Sequence, residues 1–75
     1  MKDADFTTLR RVLAANLRNE RLKQSMSQDA LAEASGLSQK TISQIESATF
    51  ATTIDTMQRL AVALRIKTAQ LLLEG

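Results

Sequence analysis

The 75-residue chain predicts an all-α domain of five helices, and three observations carry that expectation. Proline is absent, glycine occurs only at Gly36 and Gly75, and apolar residues recur at helical spacing nearly from end to end. Little in such a composition breaks a helix and much of it propagates one. No internal repeat, low-complexity tract or linker interrupts the pattern, so residues 1–75 read as a single domain. A chain this short exposes a large share of its surface and has room for one modest core.

The first helix is expected from Phe6 or Thr8 to about Gln24, after a frayed Met1–Asp5. Leu9, Leu13, Leu17 and Leu22 form its inner stripe, with Arg10, Arg18 and Lys23 in solvent. Ser27 then caps a short helix, Gln28 to Ser35, whose inward residues are Leu31 and Ala34. Gly36 ends it by taking a left-handed conformation, and Leu37 turns back to the core. Ser38 caps the third helix, Gln39 to about Ser47. A connector, residues 48–52, leads to a fourth from about Thr53 to Leu64, with Ile54, Met57, Leu60, Ala61 and Leu64 inside. The fifth covers Ala69 to Leu73, capped by Thr68.

Composition excludes several function classes. With no cysteine and no histidine there are no disulfides and none of the usual zinc ligand sets. No nucleophile–base pair, metal set or phosphate-cradling glycine loop is visible, so neither catalysis nor a cofactor is expected. Asp29 and Glu33 share a helix face as solvated carboxylates. No apolar run approaches the roughly 20 residues of a membrane span, and no signal peptide precedes the first helix; the expected location is the cytoplasm. The start at Met1 and the stop just past the last helix point to a complete chain. Ten basic against eight acidic residues give a charge of +2, which is compatible with a nucleic-acid partner but does not indicate one.

The informative segment is 28–47, two short helices joined by the tight Gly36-Leu37-Ser38 turn of a helix-turn-helix. Ala32 is small where the two helices approach, and Leu31, Leu37, Ile42 and Ile45 are apolar to fix their angle. At about 100° per residue, Gln39, Lys40, Ser43, Gln44 and Ser47 share an arc of about 140° opposite Ile42 and Ile45. That face holds no acidic residue. Glutamine pairs with adenine N6 and N7, lysine reaches guanine O6 and N7, and serine serves either base. Among bland and specific readings of this face, base readout is the one favoured by the helix-turn-helix around it.

The run SQDALAEASGLSQKTISQIES resembles the helix-turn-helix of the Cro/CI (XRE-type) family of phage and bacterial repressors, and the likeness extends from about Leu13 to Leu72. The resemblance implies a five-helix, lambda-repressor-like DNA-binding domain acting as a homodimeric transcriptional repressor on a palindromic double-stranded operator. By position, Gln39, Lys40, Ser43 and Gln44 would read bases, while Gln28, Ser38, Ser47 and Thr49 would meet the DNA backbone. Arg21 and Glu46 match a buried ion pair between the first helix and the end of the recognition helix. The sequence departs from the family where a glycine, basic residues and often a proline follow that glutamate. Ala48-Thr49-Phe50-Ala51-Thr52 stand there instead, leaving backbone amides and threonine hydroxyls to grip phosphate. Arg65 and Lys67 replace a common Gly and Ser; Glu20 replaces an apolar residue whose packing falls to Leu22. Phe50 either caps the core or is exposed as a dimer candidate, and the Leu71, Leu72, Leu73 end is the other candidate, since three successive leucines cannot all point inward. The implied settings are a phage or plasmid repressor, a restriction-modification controller, or an antitoxin that also binds a toxin. The rival class is a helical protein-interaction module that does not read DNA.

Overall fold

The computed structural model describes residues 8–49 and 51–74. Among them are four α-helices, α1 (Thr8–Lys23), α2 (Gln28–Ser35), α3 (Gln39–Glu46) and α4 (Ile54–Leu64), followed by a 3-10 helix, Thr68–Leu72. No strand is present among the described residues. The fifth element is therefore tighter than the α-helix expected and starts a residue earlier, with Lys67 rather than Thr68 at its N-cap. Gln70 reaches back to accept the Lys67 N–H at 2.8 Å, which closes the short turn. No helix among the described residues is long and apolar enough to cross a membrane.

Local chemistry sets nearly every boundary. Ser27, Ser38 and Thr53 sit in extended conformation, and each side chain accepts the amide three residues on, at Ala30, Thr41 and Thr56. The four helix ends share another device. Ser25, Gly36, Ala48 and Arg65 all take positive φ, of 57°, 75°, 61° and 59°. The next residue's N–H then bonds the carbonyl five back: Met26 to Arg21, Leu37 to Ala32, Thr49 to Gln44 and Ile66 to Ala61. This is the Schellman arrangement, and it satisfies carbonyls the helix leaves open. Met26, Leu37 and Ile66 then pack against the core. Only one of the four left-handed residues is glycine. Ala48 and Arg65 therefore take the left-handed conformation without being glycine, at a conformational cost of about 1 kcal/mol each.

The core joins Leu13 and Leu17 of α1, Leu31 and Ala32 of α2, Ile42 and Ile45 of α3, Leu60, Ala61 and Leu64 of α4, and Leu71. Around it α1 packs on α3 and on the 3-10 helix, α2 on α3 and α4, and α4 on the 3-10 helix. Several expected inward residues lie elsewhere. Leu9 and Leu22 are exposed: the inner line of α1 runs Leu13, Leu17, Arg21, Leu22 sits about 100° off it, and Leu9 continues the line one turn before its first buried residue. Leu22 therefore does not replace an apolar residue at Glu20, which stays half-buried and pairs with Lys23 at 3.2 Å. In α2 the inward position falls to Ser35 and Ala34 is exposed. Ile54 is 73% exposed at the start of α4, with no element among the described residues covering it. Leu71 is fully buried at 0% exposure, Leu72 is half-buried against the core, and Leu73 is exposed. Leu71 is thus core, not a dimer contact. Phe50, Phe6 and the segment Met1–Asp5 lie outside the described residues.

Two long-range clamps that the sequence did not announce close the bundle. Asn16 Nδ2 donates to the carbonyls of Leu71 at 2.9 Å and Leu73 at 2.8 Å, holding the C-terminal turn on α1. Gln24 Nε2 donates to the Leu64 carbonyl at 2.7 Å, tying the end of α1 to the end of α4.

Candidate nucleic-acid interface

α3 presents its polar residues outward because Ile42 and Ile45 hold its other side in the core. Gln39, Lys40 and Ser43 are exposed and Gln44 is half-buried, so the four candidate base-reading residues lie along one face. Lys40 has no ionic partner among the described residues. The C-terminal end of α3 is tightened by side chains: Ser47 Oγ donates to the Gln44 carbonyl at 2.9 Å and meets Thr49 Oγ1 at 2.8 Å. Ser38 meets Thr41 Oγ1 at 2.9 Å while its Oγ caps α3. Of the backbone candidates, Ser38, Ser47 and Thr49 are thus exposed hydroxyls already engaged in holding the ends of α3. The feature of the site invisible in the sequence is how Gln28 and Gln39 are joined.

The chain of contacts begins in the interior. Arg21 donates from Nε to Glu46 Oε2 at 2.7 Å, from Nη2 to Oε1 at 2.9 Å, and from Nη1 to the Met26 carbonyl at 2.8 Å. Their side chains are 10% and 4% exposed, so the ion pair expected from the sequence forms as a buried, bidentate one. Burial pushes the Glu46 carboxyl up, but the hydrogen bonds from Arg21 and Gln28, helped by the charges of Arg21 and Arg18, hold it below its ordinary range. On Arg21 the hydrogen bond to Glu46 outweighs burial and raises its already high value further. A pair so placed fixes orientation more than it adds net stability.

From Glu46 the network runs outward to the surface. Gln28 Nε2 donates to Glu46 Oε1 at 3.2 Å, and Gln28 Oε1 accepts from Gln39 Nε2 at 2.6 Å. The amide planes of both glutamines are fixed by this series. Gln39 keeps its Oε1 and second Nε2 hydrogen, which are the acceptor and donor that adenine N6 and N7 require. Gln28 keeps one Nε2 hydrogen beside the first turn of α2, whose open backbone amides suit a phosphate oxygen. The sequence shows glutamine at the first position of both helices but carries no sign that the two side chains meet.

Comparisons with known proteins agree with this architecture. The helix-turn-helix family HTH_3 matches residues 17–71. Among solved structures, the chain is similar to a hypothetical transcription factor, NHTF, from Neisseria, at 34% identity and a TM-score of 0.87 over 89% of this chain and 77% of that one. It is similar to an HTH_3 family transcriptional regulator from Vibrio cholerae at 28% identity and a TM-score of 0.84, covering 87% of this chain but 36% of that longer one. A third likeness is to the restriction-modification controller protein C.AhdI from Aeromonas hydrophila, at 27% identity and a TM-score of 0.80, over 83% and 94% of the two chains. No match was found among curated proteins. With the family matched over most of its length and its helix pair folded as described, the chain belongs to the XRE-type helix-turn-helix family, HTH_3, of DNA-binding transcription regulators.

Proposed function

We propose that this protein is a cytoplasmic, non-catalytic repressor that binds a palindromic double-stranded operator as a homodimer, one domain spanning residues 1–75 on each half-site. α3 enters the major groove, Gln39, Lys40, Ser43 and Gln44 read bases, and Gln28, Ser38, Ser47 and Thr49 hold the backbone. The observation that carries this reading is the Gln39–Gln28–Glu46–Arg21 series, which presets a base-reading amide and a phosphate-facing amide from one buried anchor. A face preset in this way loses less side-chain freedom on binding.

One module meets only a few base pairs, and Lys40 is the only basic residue on the reading face, so a single copy binds weakly. Two copies related by a two-fold axis read half-sites spaced by about 34 Å, one helical turn. Likeness to the controller protein along 94% of that chain supports the controller setting among those open to small regulators. Selection from a random duplex pool tests the proposal. Enrichment of an inverted repeat with half-sites about one turn apart is expected. Folded protein that enriches nothing at low salt would refute it and turn attention to a protein partner, a toxin among them.

A further inference from the structure

We propose that Arg18 is a further DNA-backbone residue, its guanidinium meeting the phosphate that Gln28 and the open amides of the first turn of α2 receive. The contact rests on the DNA-bound arrangement proposed above and adds to it a residue outside the helix-turn-helix. Arg18 lies on α1, three residues before Arg21, so it stands about 4.5 Å nearer the helix start and about 60° round from it. Arg21 marks the flank of α1 turned to the end of α3, through its bonds to Glu46. Asn16 marks the opposite flank, through its bonds to the C-terminal turn, and points about 160° away from Arg18. Arg18 is therefore placed just outside the seam of α1 and α3, on the rim beside Glu46, and it is exposed.

Two groups flank that carboxylate from different helices. Gln28 approaches from α2 and donates to Oε1 at 3.2 Å. Burial raises the Glu46 carboxyl and the bonds from Arg21 and Gln28 lower it; the charge of Arg18, from α1, adds to the lowering. Gln28 is also the residue whose remaining Nε2 hydrogen stands beside the start of α2. An oxyanion held by that hydrogen and by the α2 amides thus has the Arg18 guanidinium as its charged neighbour.

Charge decides what the rim attracts. Arg21 and Glu46 neutralise each other in their bidentate pair, which leaves the positive charge of Arg18 uncompensated at that place. Arg18 forms no hydrogen bond or ion pair among the described residues. The other cations of α1 are differently placed: Lys23 pairs with Glu20 at 3.2 Å, Arg11 lines a groove with Glu74, and Arg10 already has a partner. The chain leaving α3 supplies no charge either. Ala51 and Thr52 line a groove with Leu9 and Leu13, so that chain turns back along α1, and residues 47–53 are all neutral. The neutral donors of Gln28 and α2 orient a phosphate, and the planar fork of an arginine adds charge and a two-pronged contact. The electrostatic grip of the domain then lies on the α2 side of the recognition helix, not on the side of the connector.

Fluorescence anisotropy on the selected and the unselected duplex pools, from about 50 to 300 mM salt, tests the assignment. Arg18→Gln is expected to bind both pools about tenfold more weakly at about 0.1 M salt and to reduce the slope of log affinity against log salt by about 0.9. The ratio between the pools stays unchanged, because a phosphate carries no sequence. Arg18→Lys keeps the charge and loses only the fork, so it retains the slope and binds within about threefold of wild type. On an enriched repeat, replacing single phosphates by neutral methylphosphonate should cost wild type about tenfold at one phosphate per half-site and Arg18→Gln less than about twofold at the same one. The thermal midpoint of Arg18→Gln should stay within about 4 °C of wild type, since the side chain is exposed and bonds nothing. A larger fall marks a structural residue and overturns the inference. An unchanged salt slope, or no phosphate at which the two losses couple, also overturns it and leaves base reading by α3 standing. Pools that bind alike, with the slope reduced in Arg18→Gln, keep the Arg18 contact and remove the operator reading. Folded wild type that binds neither pool at low salt overturns both.

Discussion

Glu46→Gln changes almost no volume but removes the charge opposite Arg21, which makes it a sharp test of how the interior is organised. In the folded protein the guanidinium has three acceptors, Glu46 Oε2, Glu46 Oε1 and the Met26 carbonyl. Glutamine keeps one oxygen and replaces the other with an NH2 that faces a donor, while Arg21 remains charged and 8% exposed. Removing one partner of a buried pair costs about 3–5 kcal/mol, and the remaining acceptors place this case near about 3. A chain of this length has a stability of roughly 4–11 kcal/mol, so the loss is a large fraction of the whole. The midpoint of thermal unfolding falls by about 12–24 °C. The sign with pH follows from the Glu46 carboxyl lying below its ordinary value of 4.5 when folded. Its contribution is complete above that ordinary value and is lost as pH falls through the lower folded one. Urea unfolding from pH 7 to 3 should therefore show wild type and Glu46→Gln converging in acid, because protonated glutamate resembles glutamine. A variant within about 0.5 kcal/mol of wild type at pH 7 would refute the account, since a buried unpaired guanidinium cannot be neutral in cost.

Other expectations follow from the same contacts. Ala48→Gly and Arg65→Gly relieve left-handed backbone at two helix ends and should each raise stability by about 1 kcal/mol in denaturant titrations. Gly36→Ala should lose about the same; its added Cβ meets Arg59 Nη1 at 3.5 Å, an ordinary contact, so the loss is conformational. Gln39→Ala, assayed by competition on a selected duplex, should lose about 1–3 kcal/mol of discrimination at one base pair without changing the melting curve. Lys40→Ala should reduce the slope of log affinity against log salt by about one if the ammonium meets a phosphate, whereas an unchanged slope puts it on a base edge.

What the sequence by itself determined is local. Ser27, Ser38 and the turn at Gly36 place α2 and α3, because a cap or a left-handed stop acts within three or four residues. The alternation of polar and apolar positions likewise separated the reading face of α3 from Ile42 and Ile45. Tertiary structure decided which part of each apolar stripe is covered. Leu9, Leu22 and Ile54 carry helical spacing yet face solvent, since periodicity names a side of a helix but not where its neighbour ends. It also decided that Ala48 and Arg65 adopt the left-handed conformation, which brings the next amide onto a C-terminal carbonyl of the helix. The joining of Gln39 to Gln28, and of Asn16 to a turn more than fifty positions away, could appear only in the fold. Side-chain hydrogen bonds to positions on other elements depend on how the packed helices are placed, which no local pattern encodes.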